Sequence, residues 1–215
     1  YIDHTMRHFR GRIASWDVVN EPLADEVTDR NPYRQNIWYE SNGVEYIAAA
    51  LRQARQSDPS AKLFINEFGL EEDGDRWRVF LSLLQQLQHQ QVPLDGIGFQ
   101  SHVYESDDTI DAATLRRHIR TLASMGLQSR VSEMDVSSDE GSARQAAQYR
   151  DIFSVCITEP SCVSWTTWGV SNRYDMWSDH GRLAFGKDLL WNDRMEPTPA
   201  YYQIRNLLSR TPHDR

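Results

Sequence analysis

Two glutamates in this 215-residue chain lie at the ends of strand-like segments. Glu21 follows the strand-like segment 15–20, and Glu133 follows the segment 129–132. Two carboxyl groups from separate strands are what cleavage of a glycosidic bond requires, because one protonates the leaving oxygen while the other attacks the sugar or activates water. The pair therefore predicts a site for glycosidic bond cleavage.

The elements that must position this pair alternate between short β-rich runs and longer helical patterns. Continuous Val-, Ile- and Phe-rich runs are typical of buried parallel strands, and a 3.6-residue apolar period is typical of helices. Strands are predicted at 13–20, 62–66, 96–102, 129–135 and 163–168. Helices are predicted around 44–54, 77–87, 115–125, 146–156 and 199–208. The alternation predicts an α/β fold with a parallel sheet, and the even spacing of the later strands suits units of a (β/α) barrel.

Polar or aromatic clusters occur at the carboxyl end of every predicted strand. In a parallel barrel these ends share one rim, and catalytic residues are found there. The clusters are Asn20-Glu21, Asn66-Glu67, Gln100-Ser101-His102, Glu133-Met134-Asp135 and Trp168-Gly169. Packing alone does not account for five such clusters at equivalent positions, so they predict a shared site.

The motifs around these clusters resemble those of family 10 glycoside hydrolases, the retaining endo-β-1,4-xylanases, over essentially the whole chain. The matching stretches are Trp16 to Glu21 (acid/base motif), Arg34, Trp38-Tyr39, Gly43, Tyr46-Ile47, Gly96 to His102, Ser132 to Val136 (nucleophile motif), Thr166 through Trp177, and Pro199 to Tyr201. The resemblance implies hydrolysis of internal β-1,4-xylosidic bonds by double displacement. It implies xylan and xylo-oligosaccharides as partners and no cofactor.

The resemblance also implies an incomplete barrel. Family members form eight-stranded (β/α)8 TIM barrels, whereas the motifs here begin near the fourth strand. We therefore expect residues 1–215 to form a single, N-terminally truncated catalytic domain of about five C-terminal βα units, without the sugar-binding Lys, Asn, His and Trp of the first and third strands. An open five-stranded sheet predicts exposed edges and apolar surface, so self-association or an N-terminal fragment would complete the barrel unless the chain is an unusual half-barrel.

Two positions depart from the family pattern. The family usually has Asn-Asp-Tyr where this chain has Asn66-Glu67-Phe68, which removes a phenol hydroxyl. Asn172 stands where the family often has Asp. Both departures concern substrate contacts more than the chemistry.

The resemblance assigns a role to each carboxyl group. Glu21 is the expected general acid and then general base, for which it needs a raised pKa that Trp16 and the barrel floor would supply by desolvation. Glu133 is the expected nucleophile and must stay ionised. In a retaining enzyme the two carboxyls lie about 5–5.5 Å apart. The alternatives are a surface glutamate before Pro22 and a salt-bridged Glu133.

Further residues are expected to assist this pair. His102 would orient Glu133 with Asp135 behind it, since Asp135 lies two residues after Glu133 and faces the same side of a regular strand. Asn20 would bond the sugar 2-hydroxyl, and Gln100 is a second substrate-binding candidate. Trp168 and Trp177 flank a glycine-containing loop and predict an apolar wall for the sugar ring. Structural roles are the alternative for each of these side chains.

Composition and cysteines narrow the remaining functions. A net charge of −8 argues against nucleic acid as a partner, and no apolar stretch approaches the ~20 residues of a membrane span. No Cys or His pair has zinc-like spacing, so no metal is predicted, and the other histidines are expected to be scattered over the surface: His4, His8, His89, His118, His180 and His213. Cys156 and Cys162 bracket a turn and suggest a disulfide, with two buried thiols as the alternative.

Three functional hypotheses follow. The chain is a working xylanase, a catalytically impaired xylan-binding remnant, or half of a split or self-associated barrel. No signal segment opens the sequence, but a disulfide would imply an oxidising compartment, so we expect a secreted or periplasmic protein.

Overall fold

The computed structural model describes residues 1–103, 109–137, 143–174 and 187–210. The helices are α1 (Ile2–His8), α2 (Ile37–Asn42), α3 (Glu45–Ser57), α4 (Asp75–His89), α5 (Ala112–Ser124), α6 (Ala143–Thr158) and α7 (Pro199–Leu208). The strands are β1 (Ser15–Asn20), β2 (Lys62–Glu67), β3 (Gly96–Phe99), β4 (His102–Val103), β5 (Gln128–Val136) and β6 (Cys162–Thr167). All five predicted helices are present, and so are the five predicted strands, one of which is interrupted.

The strands form one parallel sheet in which spatial order follows chain order. β1 pairs with β2, β2 with β3, β3 with β5, and β5 with β6. The short β4 also pairs with β5 and places His102 beside Asp135. β3 and β4 are therefore one strand broken at Gln100 and Ser101. Because the strands are parallel, all of them end at the same edge. In the described residues β1 and β6 each have one neighbour, so the sheet is not closed.

The apolar core lies between the sheet and the helices. Leu63, Ile65 and Val131 from the strands are fully buried, as are Leu51 and Phe80 from α3 and α4. Full burial of an aliphatic or aromatic side chain stabilises a fold by roughly 1.5–3 kcal/mol. The same stripe of α5 that buries Ile119 also buries His118, which corrects its expected surface position. The His118 ring stacks on Trp77 at 3.8 Å between centroids. His180 and His213 lie outside the described residues.

The other face of the sheet is polar near the start of its strands. Arg130 forms an ion pair with Asp17, donates to Ser15 Oγ at 3.0 Å and lies 4.2 Å from the centre of the Phe64 ring. Among the described strands, the one exposed large apolar side chain is Val163 in β6. Polar side chains thus occupy this part of the open face.

Two short helices and one cross-link complete the description. α1 and α2 were not predicted, because seven and six residues are too few to show a helical period. Asn36 begins α2 by accepting hydrogen bonds from the N–H groups of Trp38 and Tyr39. A disulfide joins Cys156 in α6 to Cys162 in β6. No helix among the described residues has both the length and the apolarity to cross a bilayer.

Candidate active site

Glu21 directly follows β1 in a left-handed backbone conformation, with φ of 51°. Its N–H donates to the carbonyl of Asn66 at 2.9 Å, which fixes it to the end of β2. A residue with a side chain rarely adopts a positive φ, and such strained positions cluster at functional sites. The turn aims the Glu21 side chain across the edge of the sheet.

The Glu21 carboxylate has a hydrogen-bond donor on each oxygen. Gln100 Nε2 donates to Oε1 and Arg34 Nη2 donates to Oε2, both at 3.0 Å. Arg34 also donates to the Glu21 carbonyl at 3.0 Å and to Asp25 at 2.7 Å. The Glu21 side chain is 32% exposed, so solvent reaches it from one side.

The Glu133 carboxylate is more enclosed, with a side-chain exposure of 13%. Asn66 Nδ2 donates to its Oε1 at 2.5 Å, and His102 Nε2 lies 3.3 Å from its Oε2. The N–H of Glu133 donates to the Gln100 carbonyl at 3.2 Å. The Glu133 carboxylate is thus positioned by residues from β5, from β2 and from the strand that is interrupted between β3 and β4.

His102 bridges two carboxylates. Its Nδ1 lies 2.7 Å from Asp135 Oδ1, on the side of the ring opposite Glu133. Burial on its own would lower the pKa of His102, but the hydrogen bonds to Asp135 and Glu133 outweigh burial and raise the pKa to about 9. The ring is therefore an imidazolium at neutral pH and donates to both carboxylates.

A chain of side-chain amides links the two glutamates. Asn66 Nδ2 and Gln100 Nε2 both donate to Asn20 Oδ1, at 2.9 and 3.3 Å. Ser132 Oγ donates to Asn66 Oδ1 at 2.6 Å, which fixes the orientation of the Asn66 amide. Asn20 Oδ1 accepts both of these bonds, and Asn20 itself is exposed. A Cβ at position 98 would lie 2.2 Å from Asn66 Oδ1, so glycine is required at this position.

A buried salt bridge supports the loop after Glu21. Glu67 accepts from the N–H of Leu23 at 3.0 Å and from Arg76 Nη1 at 3.2 Å. Arg76 in turn donates to the carbonyls of Ala24 and Asp25. Burial raises the pKa of Glu67 to about 7, although these hydrogen bonds oppose the rise. This network fixes the backbone of residues 23–25, which lie between Glu21 and its partner Arg34 in the sequence.

The predicted aromatic wall is described in part. Trp168 is 40% exposed, and its ring centre lies 6.4 Å from that of His102 at an interplanar angle of 81°. Trp177 lies outside the described residues. Asn172 is buried and accepts from the N–H of Leu189 at 2.8 Å, so it holds the backbone after β6.

One expectation about the surroundings of Glu21 is wrong. Trp16 lies five residues before Glu21 along a strand that rises about 3.3 Å per residue, which separates them by roughly 15 Å. Trp16 instead lies near Phe9, with ring centres 6.1 Å apart, at the other end of β1. It therefore does not desolvate Glu21.

The structure brings together six of the predicted side chains, namely Glu21, Glu133, His102, Asp135, Asn20 and Gln100, with Trp168 beside them. Sequence reasoning did not give Asn66 or Arg34 a role, although Asn66 stood in a strand-end cluster and Arg34 in a matching motif. In the part of the chain that is described, no three His, Cys, Asp or Glu side chains are grouped to hold a metal ion. The site offers an enclosed carboxylate beside a cation and a second, more accessible carboxyl.

Comparison with known proteins places this arrangement in a family. The model of glycosyl hydrolase family 10 matches residues 1–207. Endo-1,4-beta-xylanase B of Thermotoga neapolitana is 33% identical over 222 aligned residues, which cover 100% of this chain and 62% of that protein. The endo-1,4-beta-xylanase of Agaricus bisporus is 32% identical over 92% of this chain and 58% of its own length. The chain belongs to glycosyl hydrolase family 10.

Solved structures agree with the sequence comparison. The crystal structure of native xylanase 10B from Thermotoga maritima superposes with a TM-score of 0.88 at 34% identity, covering 97% of this chain and 64% of that chain. Xylanase 10B from Thermotoga petrophila, in complex with xylobiose, gives 0.88 at 33% identity over the same shares. The predicted TIM-barrel type of fold and the family are confirmed. The chain spans about three fifths of the length of these curated relatives.

Proposed function

We propose that the chain carries the reacting groups of a retaining endo-β-1,4-xylanase. Glu21 acts as general acid and base, and Glu133 acts as nucleophile. The observation that supports this proposal best is the unequal setting of the two carboxylates, one enclosed beside the His102 cation and one open to solvent. Two carboxyls with different environments and different roles are what glycosidic cleavage by double displacement requires.

In the first step a carboxylate oxygen of Glu133 attacks the anomeric carbon while Glu21 donates its proton to the leaving glycosidic oxygen. A glycosyl ester forms on Glu133 and the aglycone leaves as an alcohol. The Asn66 amide and the His102 imidazolium hold the Glu133 carboxylate in position before the attack. Asp135 holds the far side of the imidazole ring.

In the second step Glu21, now ionised, takes a proton from water, and the water oxygen attacks the anomeric carbon. The ester bond to Glu133 breaks and the retained sugar is released. Glu21 has given up its proton in the first step, so it is in the form that accepts a proton when water attacks. Gln100 and Arg34 keep the Glu21 carboxylate aimed at the same place in both steps.

Substrate binding is proposed for the open side of the site. Asn20 is exposed, and its NH2 group is suited to donate to a sugar 2-hydroxyl, a bond that strengthens in the transition state. Gln100 lies beside it, and Trp168, with Trp177, would provide the apolar wall for the xylose ring. The proposed partners are xylan and xylo-oligosaccharides.

The chain is proposed to be one catalytic domain that acts outside the cytoplasm. The Cys156–Cys162 disulfide supports a secreted or periplasmic location, since disulfides persist in oxidising compartments. The sheet edges at β1 and β6, each with one described neighbour, support pairing with further strands from this polypeptide or from a second copy. The same open edges favour the second candidate function, which is xylo-oligosaccharide binding without turnover, because an incomplete barrel would lack part of the sugar-binding site.

Reducing-sugar release from xylan by the purified chain, beside Glu133→Ala, tests the proposal. Turnover that disappears in the variant supports the xylanase. Xylo-oligosaccharide binding by a folded chain without turnover favours the second candidate. Turnover that persists in Glu133→Ala overturns the assignment, and light scattering on the same sample decides between a monomer and an assembled barrel.

A further inference from the structure

The turn between β3 and β4 carries contacts to both candidate catalytic carboxylates. Gln100, which precedes Ser101, donates to Glu21, and His102, which follows it, contacts Glu133. Ser101 itself is in the left-handed region with φ of 61°. A residue with a Cβ pays an energetic penalty there, so neighbouring contacts must hold the turn.

A buried carboxyl group, that of Glu71, forms a hydrogen bond to this turn. Glu71 is 3% exposed, and its Oε1 accepts a 2.8 Å hydrogen bond from Ser101 Oγ. Ser101 is 1% exposed, so solvent does not compete for the bond. Burial raises the pKa of Glu71, and hydrogen bonds from the Ser101 hydroxyl and backbone N–H oppose this rise.

Among the described residues, Glu71 differs from the other buried glutamates in having no arginine partner; the basic group that acts on it is the His102 ring, whose charge lowers the pKa of Glu71. Glu67 forms an ion pair with Arg76, and Glu159 forms ion pairs with Arg116 and Arg120. In the described part of the chain no Arg or Lys forms an ion pair with Glu71. A buried carboxyl without an arginine or lysine partner is costly, and its hydrogen bond to the one residue with a positive φ in this turn indicates a specific task.

We propose that Glu71 is a positioning residue that acts through Ser101, fixing the turn so that Gln100 and His102 reach the two carboxylates. This proposal rests on the proposed function for the meaning of those contacts. Its test does not, because the position of His102 is measurable without any turnover of xylan.

The test follows the His102 ring by nitrogen-15 and carbon-13 NMR across a pH titration, with the signal assigned by its loss in His102→Gln. In Glu71→Leu the turn loses its acceptor, and the pKa of His102 should fall from about 9 toward its ordinary 6.5 as the ring leaves its carboxylates. Glu71→Gln keeps an acceptor oxygen and should leave the titration near that of the wild type. Glu159→Gln, a buried glutamate before β6 at the opposite end of the sheet, is the matched control and should not change it.

A rescue variant separates action through the turn from a direct effect on the ring. Glycine adopts a positive φ without penalty, so adding Ser101→Gly to Glu71→Leu should restore much of the wild-type titration. The proposal is overturned by a folded Glu71→Leu in which His102 titrates normally, by no rescue from Ser101→Gly, or by Glu71→Gln acting as strongly as Glu71→Leu. If Glu71→Leu does not fold, Ser101→Ala removes the hydroxyl alone, and an unchanged His102 in that variant overturns the proposal equally.

Discussion

The two strand-end glutamates have contrasting surroundings, although each receives one side-chain amide. Glu133 is 13% exposed and lies between the Asn66 amide and the His102 imidazolium. Glu21 is 32% exposed and lies at a left-handed turn, beside an arginine shared with Asp25. Burial and neighbouring charge thus give identical side chains different environments, which suit the different tasks proposed for them. Fixed charge suits a nucleophile, and access to solvent suits a group that must exchange protons.

The largest expected effect comes from removing the enclosed carboxylate. Glu133→Ala should lower kcat on xylan by on the order of 10³-fold or more, equivalent to at least about 4 kcal/mol of barrier, because no ester can form. Reducing-sugar assays measure the loss. Glu159→Gln removes a carboxylate before β6 that is at least as buried, and it should keep the activity. Comparable losses in both variants would mean that general destabilisation, rather than chemistry, explains the result.

Removing the accessible carboxyl should give a loss that depends on the leaving group. Glu21→Ala should reduce xylan turnover by about 10²–10⁴-fold, the usual range for lost proton transfer. An aryl β-xylobioside with a dinitrophenolate leaving group needs no proton, so its first step should be nearly unaffected. Steady-state and burst kinetics on both substrates measure the contrast. Equal losses on the two substrates would erase the proposed difference between the glutamates.

The residues at the strand ends could be predicted from the sequence better than the side-chain contacts that hold them in place. Strand ends could be located from apolar runs, which is why Glu21, Glu133, His102 and Asp135 were found. The Asn66 bond to Glu133 joins positions 67 residues apart and has no local signature. The burial of His118 could have been found, because it shares the helical stripe with Leu115 and Ile119.

Trp16 shows the opposite error. Its closeness to Glu21 in the sequence suggested a shared environment, but an extended strand carries neighbours apart faster than a helix does. The break between β3 and β4 was also missed, since a positive φ at a serine leaves no mark in the sequence. Side-chain networks and strained turns depend on tertiary contacts, and the periodicity of apolar residues in the sequence does not reveal such contacts.

A smaller effect is expected from the amide that holds the enclosed carboxylate. Asn66→Ala removes a hydrogen bond to a charged group, worth about 1.5–3 kcal/mol, and should lower kcat by roughly 10–100-fold with little change in KM. Michaelis–Menten kinetics on xylo-oligosaccharides, together with thermal unfolding, measure it. A change confined to KM would show that Asn66 binds sugar rather than supporting Glu133.

The last expected effects concern stability against pH rather than activity. The folded pKa of His102, about 9, exceeds its ordinary 6.5, so the native state holds more protons between these values and the free energy of unfolding falls as pH rises from 6.5 to 9. Glu67 has a folded pKa of about 7 against an ordinary 4.5, so the free energy of unfolding also falls as pH rises from 4.5 to 7. Urea unfolding of the wild type, His102→Gln and Glu67→Gln should show each slope lost in its own variant. A slope that persists in the matching variant would assign the linkage to other groups.

Glu133 is proposed to carry the glycosyl ester, and Glu21 is proposed to move the proton. An activated 2-deoxy-2-fluoro β-xylobioside tests this assignment directly, because fluorine slows formation and breakdown of the ester while the good leaving group lets the ester accumulate. Peptide mass spectrometry of the treated chain should find the sugar on Glu133 and on no other residue, with the adduct absent in Glu133→Ala. A sugar attached to Glu21 or to another side chain, or a folded chain that hydrolyses xylan without forming any adduct, would contradict the account.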